Sequence, residues 1–211
     1  MKTLHFHCGI ILFGCVLTTL ALMTQSARAQ ARRSVASKPA SAAALREKVT
    51  IKKIEGIGPS AKIKTPEYNV SISENLTAAR DWARVLVQFA TVSDWVDELE
   101  FRYFVQVQNQ RTRLERRFLG TFRYVDIPKG KRHLSSVFLR PTTLKRYGNI
   151  IGIAVEVYSK GELVAVAANP AGPKGWWRTA TIKEVSGVLL ERSQTPFAFV
   201  AYDAYVTEKQ R

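Results

Sequence analysis

From Val49 onward the apolar residues of this chain recur mostly at every second position, the spacing that turns one face of a strand toward a core. Val85, Val87 and Phe89 alternate with Arg84, Leu86 and Gln88. Leu99, Phe101, Tyr103, Val105 and Val107 alternate with Glu100, Arg102, Phe104, Gln106 and Gln108. After the polar break 109–112, Leu114, Phe118, Gly120, Phe122 and Tyr124 alternate with Glu115, Arg117, Leu119, Thr121 and Arg123, and the breakers at 126–130 are expected to end that strand. Further strands are expected over 134–140 and 197–205. Segments 150–158 and 162–168 flank Lys160-Gly161, a short turn in which glycine can take positive φ, and form the clearest hairpin. Helix is confined to 141–147. Seven to nine strands with turn signals between them predict an all-β, antiparallel two-sheet sandwich, with a barrel as the alternative.

The first residues follow another pattern. Lys2 precedes an apolar stretch over 9–23 broken only by Thr18 and Thr19, and Ala27-Arg28-Ala29 supplies a small-x-small triplet. This is the layout of a signal peptide over 1–29, cut before Gln30. The apolar stretch is shorter than the roughly 20 residues that span a bilayer. Residues 30–48 are Ala, Ser, Arg and Lys with almost nothing to bury, and read as a flexible basic tether. The sandwich then occupies 49–206 and a polar C-terminal tail 207–211.

Both cysteines, both methionines and two of the three histidines fall within the leader. Without the leader there is no disulfide, no cysteine-based zinc site and no thiol nucleophile, and His133 is left as the one imidazole, expected at a solvated loop edge. The one carboxylate cluster, Asp94, Asp97, Glu98 and Glu100, lies on a turn and a single strand face rather than across a cleft, and lacks the spacing of a calcium loop. No catalytic residue, metal ligand or cofactor is assigned.

Charge is distributed unevenly. Residues 102–146 hold 12 Lys and Arg against Glu115 and Asp126, a net of +10, whereas 30–101 and 147–211 are almost balanced. With a four-residue loop at 109–112, Gln106 would pair with Glu115, Phe104 with Arg117 and Arg102 with Leu119, presenting a cationic and aromatic strip. The candidate binding face is therefore Arg102, Phe104, Arg113, Arg117, Arg123, Lys131 and Arg132. Trp176, Trp177 and Arg178 form a second candidate, one Trp entering the core and the other stacking at the rim. No nucleotide-binding loop, helix-turn-helix or RNA-binding signature is present, so the charge points away from specific nucleic acid and toward an acidic partner, an anionic glycan or an anionic lipid.

The segment Arg80-Asp81-Trp82-Ala83-Arg84-Val85-Leu86-Val87-Gln88-Phe89, followed by Asp94-Trp95-Val96-Asp97-Glu98-Leu99-Glu100-Phe101-Arg102-Tyr103-Phe104-Val105, resembles a family of secreted, pilus-associated immunoglobulin-like proteins of Verrucomicrobia. The resemblance implies an immunoglobulin-like sandwich, exported to the periplasm, outer membrane surface or medium, without enzyme activity. The leader lacks the processing site and long assembly helix of a major pilin, so an accessory role is expected. The expected partner is a protein of a pilus or envelope assembly, met through the basic face or an open strand edge. Strand edges would also permit homo-oligomers, and the alternative is a module for anionic glycan or another polyanion.

Overall fold

In a computed structural model of the chain, the described residues are 49–67, 78–173 and 175–209. The expected signal peptide and tether lie outside them. The elements in chain order are β1 (Val49–Glu55), β2 (Lys62–Lys64), β3 (Asp81–Gln108), β4 (Glu115–Leu139), α1 (Pro141–Tyr147), β5 (Asn149–Ser159), β6 (Glu162–Asn169), β7 (Glu184–Ser186), β8 (Leu190–Glu191) and β9 (Thr207–Glu208).

The fold is all-β and built around one hairpin. β3 and β4 run 28 and 25 residues, several times the usual strand length of about 5–6. Their ladder shifts register between Phe89 and Thr91 and again between Thr91 and Trp95, opposite 128–130. Such irregularities let a strand bend without ending, so the expected break at 126–130 is a bend inside β4. Before the bend, β3 pairs with β1 and β2, and the far half of β4 pairs with β8. Beyond it, β3 pairs with β5, which carries β6, and the near half of β4 takes β7 as its one parallel neighbour. The two halves of the hairpin therefore belong to two layers, and all nine strands remain hydrogen-bonded into one folded sheet.

The alternation read from the sequence decides what lies between the layers. Leu99, Phe101, Tyr103, Val105 and Val107 are completely buried, as are Val87, Phe89, Phe118 and Ile127. Phe89 from one layer meets Phe101 from the other at 5.1 Å between ring centres. The Tyr103 hydroxyl shares a hydrogen bond with Ser135 Oγ, which also donates to Tyr124 Oη at 2.7 Å. Full burial of each such aromatic contributes about 1.5–3 kcal/mol. The small hydroxyl chain satisfies polar groups that would otherwise be stranded in the core.

Four local expectations change. The 109–114 turn is longer than expected, because Asn109 Oδ1 accepts from the N–H groups of Arg111 and Thr112 at 3.0 and 3.2 Å and Asn109 N donates to Leu114 O. Residues 197–205 form turns and a short 3-10 helix, not a strand. Phe197 anchors this segment by stacking on Phe138 at 5.1 Å and meeting Trp82 edge-on at 5.7 Å. Thr207 and Glu208 of the expected tail form β9 on β4. His133 is a strand residue, partly buried beside Phe89, with Nε2 3.0 Å from Thr91 Oγ1.

Candidate functional site

The hairpin geometry determines which cations can be shared with a ligand. Gln106 faces Arg117, Phe104 faces Leu119, Arg102 faces Thr121 and Glu100 faces Arg123. This register differs by two positions from the expected one, so every residue keeps its face but changes its partner. Glu100 accepts from Arg102 Nε at 2.8 Å and lies 3.0 Å from Arg123 Nη2. Glu98 in turn pairs with Arg123 and Lys209. The Arg102 guanidinium also lies 4.0 Å above the Tyr158 ring. Burial tends to raise the Glu100 carboxyl, but its bonds from Arg102 and Arg123 outweigh that and hold it below its ordinary value. The concavity of about 490 Å³ lined by Glu98, Glu100, Arg102, Arg123, Tyr158 and Lys160 is thus a neutralised surface.

Arg117 occupies the same sheet face and is completely buried, contrary to the exposed strip expected from the alternation. The segment leading into β7 lies over it. Arg117 Nη1 donates to Thr179 O at 2.8 Å and lies 3.3 Å from Glu184 Oε1, and Nη2 reaches Trp176 O. Its role is to hold that segment. Phe104 is half-buried beside it.

Trp176 and Trp177 lie on a 3-10 turn, not an extended segment. Trp177 is buried, and its Nε1 donates to Glu156 Oε1 at 2.8 Å. Arg178 Nε and the Tyr158 hydroxyl donate to the same carboxylate. Trp176 is half-buried, with its ring edge against Gly152 at a separation that leaves no room for a Cβ there. This pair and Arg178 fasten the segment to β5.

The remaining expected cations are exposed but separated. Arg113 is in the 109–114 turn, while Lys131 and Arg132 lie past the bend of β4. Arg123 and Lys131 are eight residue steps apart along β4, about 26 Å of contour at ~3.3 Å each, with the bend between them. The seven named residues therefore do not form one face. What local reading missed is that α1 folds back beside the 109–114 turn, with Asn109 Nδ2 donating to Arg146 O at 3.2 Å. Arg111 and Arg113 of the turn are thereby brought to the same end of the fold as Lys145 and Arg146.

The opposite margin of the sheet has a different character. Among the described residues β6 has a backbone ladder only with β5, and β1 lies near its end, where Asn169 Nδ2 donates to Ile54 O at 2.9 Å. Past one register shift opposite Tyr158, its residues 165–169 are in regular pairing, and 163–168 contain no charge and no proline. Val166 is 47% exposed. Sheet edges are commonly blunted by charge or proline against pairing with other chains, and this stretch has neither. Among the described residues there is no group of three or more potential metal ligands.

A family model matches residues 40–211. The chain belongs to that family. No curated protein matches it. Solved structures do, among them a crystal structure of a protein from Akkermansia muciniphila, a member of the Verrucomicrobia. It is 24% identical, with a TM-score of 0.67, over 78% of this chain and 94% of that one. At that identity the likeness carries the fold, which this family member shares with the solved protein.

Proposed function

We propose that this chain is an exported, non-enzymatic accessory module of a type IV pilus or envelope assembly that joins a protein partner by strand addition at β6. The observation that carries the reading is the uncharged, proline-free edge of β6, whose regular part offers about four residues of ladder, 165–168, to an incoming strand before Asn169 is tied to Ile54 O of β1. Main-chain hydrogen bonds would supply affinity and the exposed Val166 side a point of selection. The neutralised state of Arg102 and Arg123 and the burial of Arg117 favour this edge over the sheet face as the contact surface. The family match and the fold shared with a verrucomicrobial protein support reading the chain with the pilus-associated proteins it resembles.

The test is to express the tagged full chain in its native cells and to follow the tag through fractionation and pilus shearing. The expected result is a leader-processed chain in the envelope or sheared-fibre fraction, lost from it when Val166→Lys places a charge on the edge. Recovery in the cytoplasm, or an undiminished envelope association of Val166→Lys combined with Ala168→Lys, would overturn the proposal.

A further inference from the structure

The +10 charge of residues 102–146 separates in three dimensions into a paired part and an unpaired part. Arg102, Arg117 and Arg123 each face a carboxylate. Of the cations in this segment that face none among the described residues, Arg140 and Arg146 both line one concavity of about 400 Å³ between α1 and segment 187–190. Thr142, Thr143 and Tyr147 share the α1 wall, and Val188 and Leu190 form the facing one. The acid that directly follows the facing segment, Glu191, is engaged with Gln194 in a reciprocal capping pair and points its carboxylate at that turn.

The wall is rigidly held. The Arg146 guanidinium lies 4.9 Å from the centre of the Tyr147 ring, and Tyr147 meets the fully buried Phe118 edge-on at 5.2 Å. Gly148 closes α1 against the end of β3 at a φ of +93°, where an added Cβ would clash with Gln108 O. Two uncompensated guanidinium groups on a fixed frame suit an oxyanion with several acceptor oxygens. The cavity is larger than a bare oxyanion requires and falls in the usual ligand range of about 300–1,000 Å³. It adds hydroxyl groups and an apolar wall, the combination that receives a sugar ring with polar edges and apolar faces.

We infer that this cavity binds a sulfate or phosphate monoester carried on a sugar-sized ring, the ester meeting Arg140 and Arg146 and the ring lying against Tyr147, Val188 and Leu190. The site is on the β7 side of β4, away from the β6 edge, and does not depend on the strand-addition reading.

Titration calorimetry of the full chain at low ionic strength with N-acetylglucosamine 6-sulfate, glucose 6-phosphate, glucose and sodium sulfate tests it. At least one ester should bind, more tightly than inorganic sulfate and far more tightly than glucose. Arg140→Gln and Arg146→Gln should each weaken it roughly ten- to hundredfold, the range for loss of a hydrogen bond to a charged group. Both arginines are exposed, so an unchanged melting temperature verifies the fold. Arg102→Gln, which removes an equal but paired charge, should leave affinity unchanged. Failure of both esters to bind, undiminished binding in the Arg140→Gln/Arg146→Gln double variant, or equal weakening by Arg102→Gln would overturn the site. Inorganic sulfate binding as well as the esters would overturn the assignment of the ring.

Discussion

Replacing Glu156 by alanine should loosen the Trp177 segment and destabilise the whole domain, because this carboxylate is the point at which three donors converge. Glu156 is 2% exposed. It accepts from buried Trp177 Nε1 at 2.8 Å, from the Tyr158 hydroxyl at 2.8 Å, and from Arg178, whose Nη2 is 2.7 Å away. The Trp177 bond dominates, since an indole N–H donating to a buried charged acceptor contributes about 1.5–3 kcal/mol and has no water to replace it. The Arg178 arm is largely solvated, its side chain 57% exposed, and as a surface pair contributes under about 1 kcal/mol. Tyr158 can turn to water. The expected loss is about 2–3 kcal/mol, or a melting temperature lower by about 5–10 °C for a domain of this size. Urea unfolding followed by far-ultraviolet circular dichroism measures it. Glu156→Gln, which keeps an acceptor for Trp177, should lose less than half as much. A Glu156→Ala loss below about 0.5 kcal/mol would refute the reasoning, as would an Arg178→Ala loss equal to it. The pH dependence has a definite sign. Burial pushes the Glu156 carboxyl up, but the bonds from Trp177, Tyr158 and Arg178 outweigh it and hold the group below its ordinary value of 4.5. Its contribution is therefore complete above that value and is lost as pH falls through the lower folded value, a loss that Glu156→Gln should not show.

Arg117→Met removes the donors that Thr179 O and Trp176 O use beneath the covering segment. It should cost about 2–4 kcal/mol and speed proteolytic cleavage within 176–184, the second readout separating loss of the fastening from general destabilisation. Burial depresses the His133 imidazole, its contact with the Pro128 backbone opposing this only in part. The unfolded chain then binds more protons as pH falls below about 6.5, so stability should decline from about pH 7 toward pH 5. Urea midpoints across that range should show a smaller decline in His133→Phe; an equal decline in both proteins would contradict the assignment.

The parts of this fold that were legible in the sequence are those fixed by neighbours along the chain. Residues 99–107 alternate because one face is sealed in the core, and Lys160-Gly161 closes its hairpin because both residues take positive φ, at 51° and 81°. The hairpin register was not legible for a related reason. Lengthening the 109–114 turn slides the ladder by two residues, and a shift of two leaves every side chain on its original face, so alternation is blind to it. The apparent strand at 197–205 has apolar spacing without a ladder. Thr195 instead takes the local bonds of Phe197 N and Ala198 N, and Phe197 is spent on Phe138 and Trp82.

Charge shows the same division more sharply. The excess within residues 102–146 can be counted on the sequence, but whether a given arginine is available depends on acids elsewhere in the chain. Glu98 and Glu100 neutralise Arg123 from across the hairpin, and Glu184 reaches Arg117 over 67 residues of sequence. Arg140 and Arg146 remain open because the segment folded against them, 187–190, brings glycine, valine and leucine but no carboxylate. Arg102, Arg117 and Arg123, on the long alternating strands, are paired by the sheet, since a strand face brings cross-strand partners within about 5 Å. Arg146 on α1 and Arg140 just before it have no such opposite row. Arg140 and Arg146, at the point where the ladder stops, are therefore the open pair that shares a concavity, and that is where a ligand for them should be sought.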